Sequence, residues 1–273
     1  MSPFLSIIFG AMVGFSLGLT GGGGAIFAVP LLVYGLAIEP REAVGISLAS
    51  VGAMSAVGLL GRWRAGQVEF RPGLIFAVAG MLGAPAGSWL ANQIPEFFLL
   101  MLFAILMLVV AARMWITVPA VDISIVHAFE DEKAGPACRR DVAGNLRLTS
   151  RCAMLLMAAG LATGVLSGLF GVGGGFVIVP ALVLFSGMAI HRAVGTSLLV
   201  ITLVGLAGVA SHLFSGRTIS IDTMLLFVVG GIVGMLLGQL ASRRLSGPTL
   251  QRVFAVAIVA VASFVIVRTT LWP

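Results

Sequence analysis

Two glycine clusters carry the residue pattern in this chain that is best suited to chemistry. The first covers Gly21 to Gly24, and the second runs from Gly171 to Gly175 with one interruption at Val172. Consecutive glycines let backbone N–H groups converge, and a helix that follows the cluster adds the positive end of its dipole. Each cluster therefore predicts a turn that binds a small anion without a charged side chain.

Hydroxyl side chains lie at the start of the second helix predicted after each glycine cluster, beyond a short loop. They are Ser47 and Ser50 after the first cluster, and Thr196 and Ser197 after the second. The alternative is that the glycines only let helices pack closely, while the hydroxyls bond to their own helix. The predicted substrate-binding residues are Thr20, Gly21, Gly23, Gly24, Ser47, Ser50, Gly171, Gly173, Gly174, Gly175, Thr196 and Ser197.

The sequence lacks the residues that several other kinds of chemistry require. The chain has no Gly-x-x-x-x-Gly-Lys-Ser/Thr phosphate loop, no His-Glu-x-x-His element and no Gly-x-Ser-x-Gly element. The ten acidic residues lie at the ends of apolar segments or in loops, where none serves as a buried proton relay. Cys138 and Cys152 suit neither a zinc site nor a disulfide framework. We predict no enzymatic activity, catalytic residue, metal site or cofactor.

The composition places these turns in a membrane. Of 273 residues, 59% are hydrophobic and 10% are charged, and the mean hydropathy is +1.14, whereas a soluble domain carries roughly 25% charged residues. Apolar segments recur to the end of the chain. The net charge of +6 comes from basic residues at segment ends, which favours anchoring in a membrane over binding to nucleic acid.

An internal repeat relates the two clusters. At an offset of 150 residues, the stretch 10–48 aligns without a gap to 160–198 and matches at 16 of 39 positions, which include the glycines of both turns. We predict membrane repeats over 1–116 and 152–273, joined by a charged cytoplasmic linker over 117–151. Glycines spaced by four residues, such as Gly160, Gly164 and Gly168, favour close helix packing instead of a site.

The first apolar stretch of each repeat is too long for one span. Its 38 or 40 residues would extend about 57 to 60 Å as a helix, against roughly 30 Å of hydrocarbon. If the stretch forms a broken or re-entrant hairpin, the 16 basic residues divide into Arg41, Arg217 and Arg268 on one face and 13 on the other. The fold expected is an all-α integral membrane protein with two inverted repeats of about five segments each and both termini extracytoplasmic.

The motifs themselves resemble those of the TauE/SafE sulfite exporter family. They are GLTGGGGAIFAVPLLV at 18–33 and GLFGVGGGFVIVPALVL at 168–184, followed by AVGISL at 43–48 and AVGTSL at 193–198. The second copy is the closer match, whereas the first departs at Thr20 and Gly22. The resemblance implies a multipass inner-membrane transporter that moves small sulfur-containing anions, such as sulfite or organosulfonates, usually outward.

Three alternatives to export stay open. The chain could import a related anion, it could be a membrane scaffold subunit without transport activity, or it could be a transition-metal permease, which His191, His212 and twelve scattered methionines weakly permit. The expected partners are the lipid bilayer, a small anionic substrate and a second copy in a possible homodimer, without nucleic acid.

The topology predicts where a cysteine introduced at Ser2 is accessible. An impermeant thiol reagent should label Ser2→Cys from the extracytoplasmic side of intact cells, because the hairpin returns the chain to its starting side. The unmodified chain supplies the background. Labelling from the cytoplasmic side alone would contradict this topology.

Overall fold

A computed structural model gives the fold of this chain. It describes residues 3–116, 139–140, 146–147, 150–171, 174–186, 188, 190–214, 220–242, 259–260, 262–263 and 265–267. Nearly all of this part is helical, as the sequence predicts. A two-residue antiparallel ladder, β1 (Arg139–Arg140) with β2 (Leu146–Arg147), lies in the linker.

The helices of the first repeat are α1 (Pro3–Thr20), α2 (Gly23–Gly35), α3 (Pro40–Arg64), α4 (Phe70–Gln93) and α5 (Glu96–Ile116). Those of the second are α6 (Ser150–Phe170), α7 (Gly175–Ser186), α8 (Ile190–Phe214) and α9 (Ile221–Ser242). Six of the described helices are long and apolar enough to cross a membrane, namely α1, α3, α4, α6, α8 and α9. This confirms a multipass membrane protein.

The broken helix expected in the first apolar stretch is present. After α1 ends, α2 runs back along it, with Gly24 against Leu17 and Gly35 against Phe9. The return arm is irregular: it begins as a 3-10 helix over Gly23–Phe27, passes through one α-helical turn over Ala28–Pro30 and continues as a π-helix over Leu31–Gly35. Pro30 has no N–H to donate, so the regular hydrogen-bond ladder is interrupted there.

Two parallel helix pairs flank the core, and glycines let their backbones touch. Gly10, Gly14 and Gly18 of α1 lie against Phe227, Gly231 and Met235 of α9, while Gly160, Gly164 and Gly168 of α6 lie against Phe76, Gly80 and Ala84 of α4. A Cβ at any of these glycines would meet backbone atoms of the partner helix. The packing interpretation of the four-residue spacing is confirmed. Each pair joins helices from different repeats.

The centre of the molecule is the antiparallel pair α3 and α8. Gly45 faces His212, Gly52 faces Gly205, and Gly195 faces Arg62, so the residue numbers rise along one helix as they fall along the other. The buried share of the span is 67% for both helices, against 39% for α1 and 33% for α9. The helices matched by the repeat are thus antiparallel, as inverted repeats require. The inverted-repeat relation of the complete halves stays a prediction.

One expectation about the cysteines is wrong. Cys152, buried at the start of α6, is disulfide-bonded. The framework argument concerns small secreted scaffolds with several bridges, whereas a single bond needs only two suitably placed thiols. Cys138 lies outside the described residues.

Backbone contact between α4 and α6 predicts a strong effect of Gly164→Val. A Cβ at Gly164 would lie 2.6 Å from the Gly80 Cα, so the helices must separate. We expect a loss of about 3 kcal/mol or more, the upper range of overpacking costs, seen as a lower thermal unfolding midpoint in detergent. Leu161→Val, on the exposed face of α6, is the control. Equal midpoints for the two variants would contradict this packing.

Candidate functional site

The two predicted turns lie where α1 and α6 end. Gly21 has φ of 74° and Gly171 has φ of 69°, a left-handed conformation that glycine adopts without strain. The N–H of Gly21 donates to the Leu17 carbonyl at 2.8 Å, and that of Gly171 donates to the Ser167 carbonyl at 2.8 Å. These two amides cap their own helices, so they are not donors for an anion.

Each turn is held by a serine from the other half of the chain. The Ser47 hydroxyl on α3 donates to the Gly171 carbonyl at 2.6 Å. The Ser197 hydroxyl on α8 lies within hydrogen-bond distance of the Gly21 carbonyl and of the Val194 carbonyl, the latter at 2.8 Å. Both serines are fully buried. Since Ser47 matches Ser197 and Gly21 matches Gly171 in the repeat, the two contacts are reciprocal; we call them the serine braces.

The braces give the serines a positioning role. In a trans peptide the carbonyl and the N–H of the next residue point in opposite directions. Fixing the Gly21 carbonyl on Ser197 therefore directs the Gly22 N–H away from α8. The sequence suggested hydroxyl donors to a substrate, but in this conformation the partners of Ser47 and Ser197 are turn carbonyls.

The two turn regions touch each other through their backbones. A Cβ at Gly22 would lie 2.5 Å from the Gly175 carbonyl oxygen, and a Cβ at Gly175 would lie 2.5 Å from the Gly22 Cα. The matched valines complete the contact, because Gly171 packs on Val44 and Gly21 packs on Val194. The structure thus brings together the two clusters that are 150 residues apart in sequence.

The remaining predicted residues have separate surroundings. Thr20 donates its hydroxyl to the Ser16 carbonyl of its own helix at 2.8 Å. The Thr196 hydroxyl accepts from the Glu69 N–H at 2.9 Å, which ties α8 to the start of α4. Gly23 and Gly24 open α2, and Gly174, with φ of 66°, packs beside Thr163. Gly173 lies outside the described residues.

Ser50 is the predicted residue best suited to face a ligand. It lies one helical turn after Ser47, it is fully buried, and its hydroxyl has no hydrogen bond within the described part of the chain. Ser167, which the sequence analysis missed, shares these properties and lies one turn before Gly171. The repeat comparison could not indicate it, because the residue matched to Ser167 is Leu17.

Polar contacts tie the ends of the central helices to their neighbours. Arg192 Nη1 lies 3.4 Å from Glu69 Oε1 where α8 and α4 begin. Where α3 and α9 begin, the Ser220 N–H donates to Glu42 Oε1 at 3.2 Å. Glu42 and Arg192 are matched positions of the repeat, so each brace has a polar contact at its own end of the molecule.

Comparison with known proteins identifies the family. The family model described as "Sulfite exporter TauE/SafE" matches residues 6–265. A "Probable membrane transporter protein" of Xylella fastidiosa (strain 9a5c) is 38% identical over 277 residues, covering 98% of this chain and 96% of the relative. The "Probable membrane transporter protein YunE" of Bacillus subtilis (strain 168) is 26% identical over 273 residues, covering 96% of each chain.

No solved structure matches the chain. The match to the family model spans both repeats and the linker between them, and the bacterial relatives align over nearly their whole lengths. The six apolar helices agree with the word "membrane" in the relatives' names. The chain therefore belongs to the TauE/SafE sulfite exporter family of membrane transporters.

Proposed function

We propose that this transporter exports a small sulfur-containing anion, of the sulfite or organosulfonate type, across the inner membrane. The family description supports sulfite as the substrate and export as the direction. The relatives' names support transport without naming a substrate. The proposed site is shared by the two glycine turns and the serines around them.

The reciprocal serine braces are the observation that carries this proposal. They use residues from both repeats to orient two glycine turns that touch at Gly22 and Gly175. A structural role alone would need close packing, which the glycine rows of α1 and α6 already supply. Oriented peptide planes at the contact of two repeats are typical of substrate sites in transporters with broken helices.

Neutral groups supply the donors in this proposal. The first N–H groups of a helix have no partner within the helix, and those of α2 come from the glycine cluster. Ser50 and Ser167 add two buried hydroxyls. An unpaired buried hydroxyl costs about 1–3 kcal/mol, a penalty that a bound oxyanion removes by accepting its hydrogen bond. The oxygens of a sulfite or sulfonate group suit such donors.

Alternating access would follow from the repeat. We infer that the two halves are inverted repeats, because the matched helices α3 and α8 are antiparallel and the flanking pairs exchange helices between halves. Rocking of the α1–α9 pair, with α3, against the α4–α6 pair, with α8, would break one brace while keeping its counterpart, and it would leave both glycine-packed pairs intact. The shared site would then open first to one face and then to the other.

The anion's own charge supplies the driving force in this account. With the cell interior negative, each negative charge that leaves gains about 2.3 kcal/mol per 100 mV. Import of a related anion is the alternative direction, and it would need a gradient large enough to oppose this term.

We predict that proteoliposomes loaded with sulfite lose it faster when they contain this protein than when they contain none. Ser50→Ala should slow efflux about tenfold, the usual effect of losing a hydrogen bond to a charged group. Thr202→Val is the matched control. The Thr202 hydroxyl donates to the Leu198 carbonyl of its own helix at 2.7 Å, so its loss should not affect the site.

Assays with sulfite, thiosulfate, sulfoacetate and sulfate would rank the substrates. Efflux of none of them would exclude the proposed function and favour a scaffold subunit. Equal rates for Ser50→Ala and Thr202→Val would keep the transporter but remove Ser50 from its site.

A further inference from the structure

Arg62 and His212 are separated by 150 residues, the same offset that relates the matched positions of the repeat. Both lie near the C-terminal ends of their helices, Arg62 on α3 and His212 on α8. Both are buried, with exposed fractions of 8% and 2%. Ionisable side chains buried within membrane-spanning helices are costly, and they are retained mostly where function requires them.

Each of these side chains packs against a glycine at the start of the opposite central helix. A Cβ at Gly45 would lie 2.5 Å from His212 Nε2, and a Cβ at Gly195 would lie 3.5 Å from Arg62 Cδ. The two glycines are themselves matched by the repeat. The absence of a side chain at Gly45 leaves the space that the His212 imidazole occupies, whereas at Gly195 a Cβ would meet the Gln67 carbonyl oxygen, with Arg62 in ordinary contact beside it.

The glycine contacts place each basic side chain beside one serine brace. Gly45 lies two residues before Ser47, so His212 is at the level of the Gly171 turn. Gly195 lies two residues before Ser197, so Arg62 is at the level of the Gly21 turn. Arg62 is oriented further by a hydrogen bond from Nη1 to Gln67 Oε1 at 3.1 Å.

Building on the proposed anion transport, we propose that Arg62 and His212 contact the anion at opposite ends of its pathway. We propose further that His212 makes passage through its own end depend on pH. Arginine keeps its positive charge throughout the physiological range, whereas histidine changes charge between pH 5 and 8. The two ends are thus alike in position and different in chemistry.

The other charged groups at the His212 end lie on the helices that meet there. Among the described residues they are Glu39, Arg41 and Glu42 at the start of α3, Asp222 in the first turn of α9, and Glu96, the first residue of α5, whose next turn packs near Pro40 and Val44. Glu42 is engaged with the Ser220 N–H. Helices α1 and α7 carry no charged residue, while Arg71 of α4 and Arg151 of α6 lie in the first turns of their helices, at the Arg62 end.

The sign of the pH effect follows from the charge of the anion. At low pH the protonated imidazole adds a positive charge and an N–H donor at the His212 end of the pathway, which stabilises an anion there. At high pH both the charge and one donor are lost. Transport should therefore fall as the pH rises through the range in which histidine titrates.

The test compares efflux from proteoliposomes at about pH 5.5 and about pH 8, which lie near the two limits of the range in which histidine titrates. It is carried out for the natural chain and for variants. Each variant is compared with the natural chain at the same pH, so that protonation of sulfite itself affects both alike, and the control His191→Gln should follow the natural chain at both pH values. His191 is exposed at the start of α8 and lies outside the proposed pathway.

We expect His212→Arg to exceed the natural chain about tenfold at the higher pH and to equal it at the lower pH. His212→Gln should be slow at both values. Arg62→His should acquire a pH dependence of its own at the opposite end, and it provides the test if the His212 variants fail to fold. Size-exclusion chromatography in detergent identifies the variants that fold.

Profiles of His212→Arg and Arg62→His that parallel the natural chain would overturn this inference and leave the proposed function intact. Absence of efflux from the natural chain at both pH values would instead overturn the proposed function. The two failures are therefore distinguishable within one experiment.

Discussion

Direct backbone contact between the two halves of the chain is the constraint on which the rest of this structure depends. Lipid is as apolar as the helices, so burial of apolar surface does not drive helices together in a membrane, and close packing must supply the stability. Glycine rows on α1 and α6 permit that packing. They also place α3 and α8 in the centre, where the serine braces reach the turns of the opposite half.

The same constraint shapes the proposed anion site, which contains few charged side chains. Gly21 and Gly171 end their helices in a conformation that frees the following peptide planes, and Ser197 and Ser47 then fix the direction of those planes. In the proposed function the donors would be oriented before the substrate arrives, so binding would cost little reorganisation. Neutral donors at the contact of the two turns would also let the anion leave, because they bind it less tightly than a charged group would.

The sequence predicted the parts of this structure that the repeat records. The positions of both turns, the hairpin of the first apolar stretch and the packing role of the glycine rows follow from matched residues and from segment length. The partners of Ser47 and Ser197 could not be predicted, since they lie 124 and 176 residues away in the chain. Ser167 could not be predicted from the repeat, because the matched position in the first repeat is Leu17. The disulfide of Cys152 likewise depends on tertiary placement.

We propose that the two repeats build one shared anion site. Isothermal titration calorimetry of sulfite with the purified protein tests it most directly. We expect one anion bound per chain, with the affinity lowered to a similar degree by Ser47→Ala and by Ser197→Ala, because each serine would orient half of the same site. Two independent sites per chain, or a loss of affinity confined to one of the two variants, would contradict it.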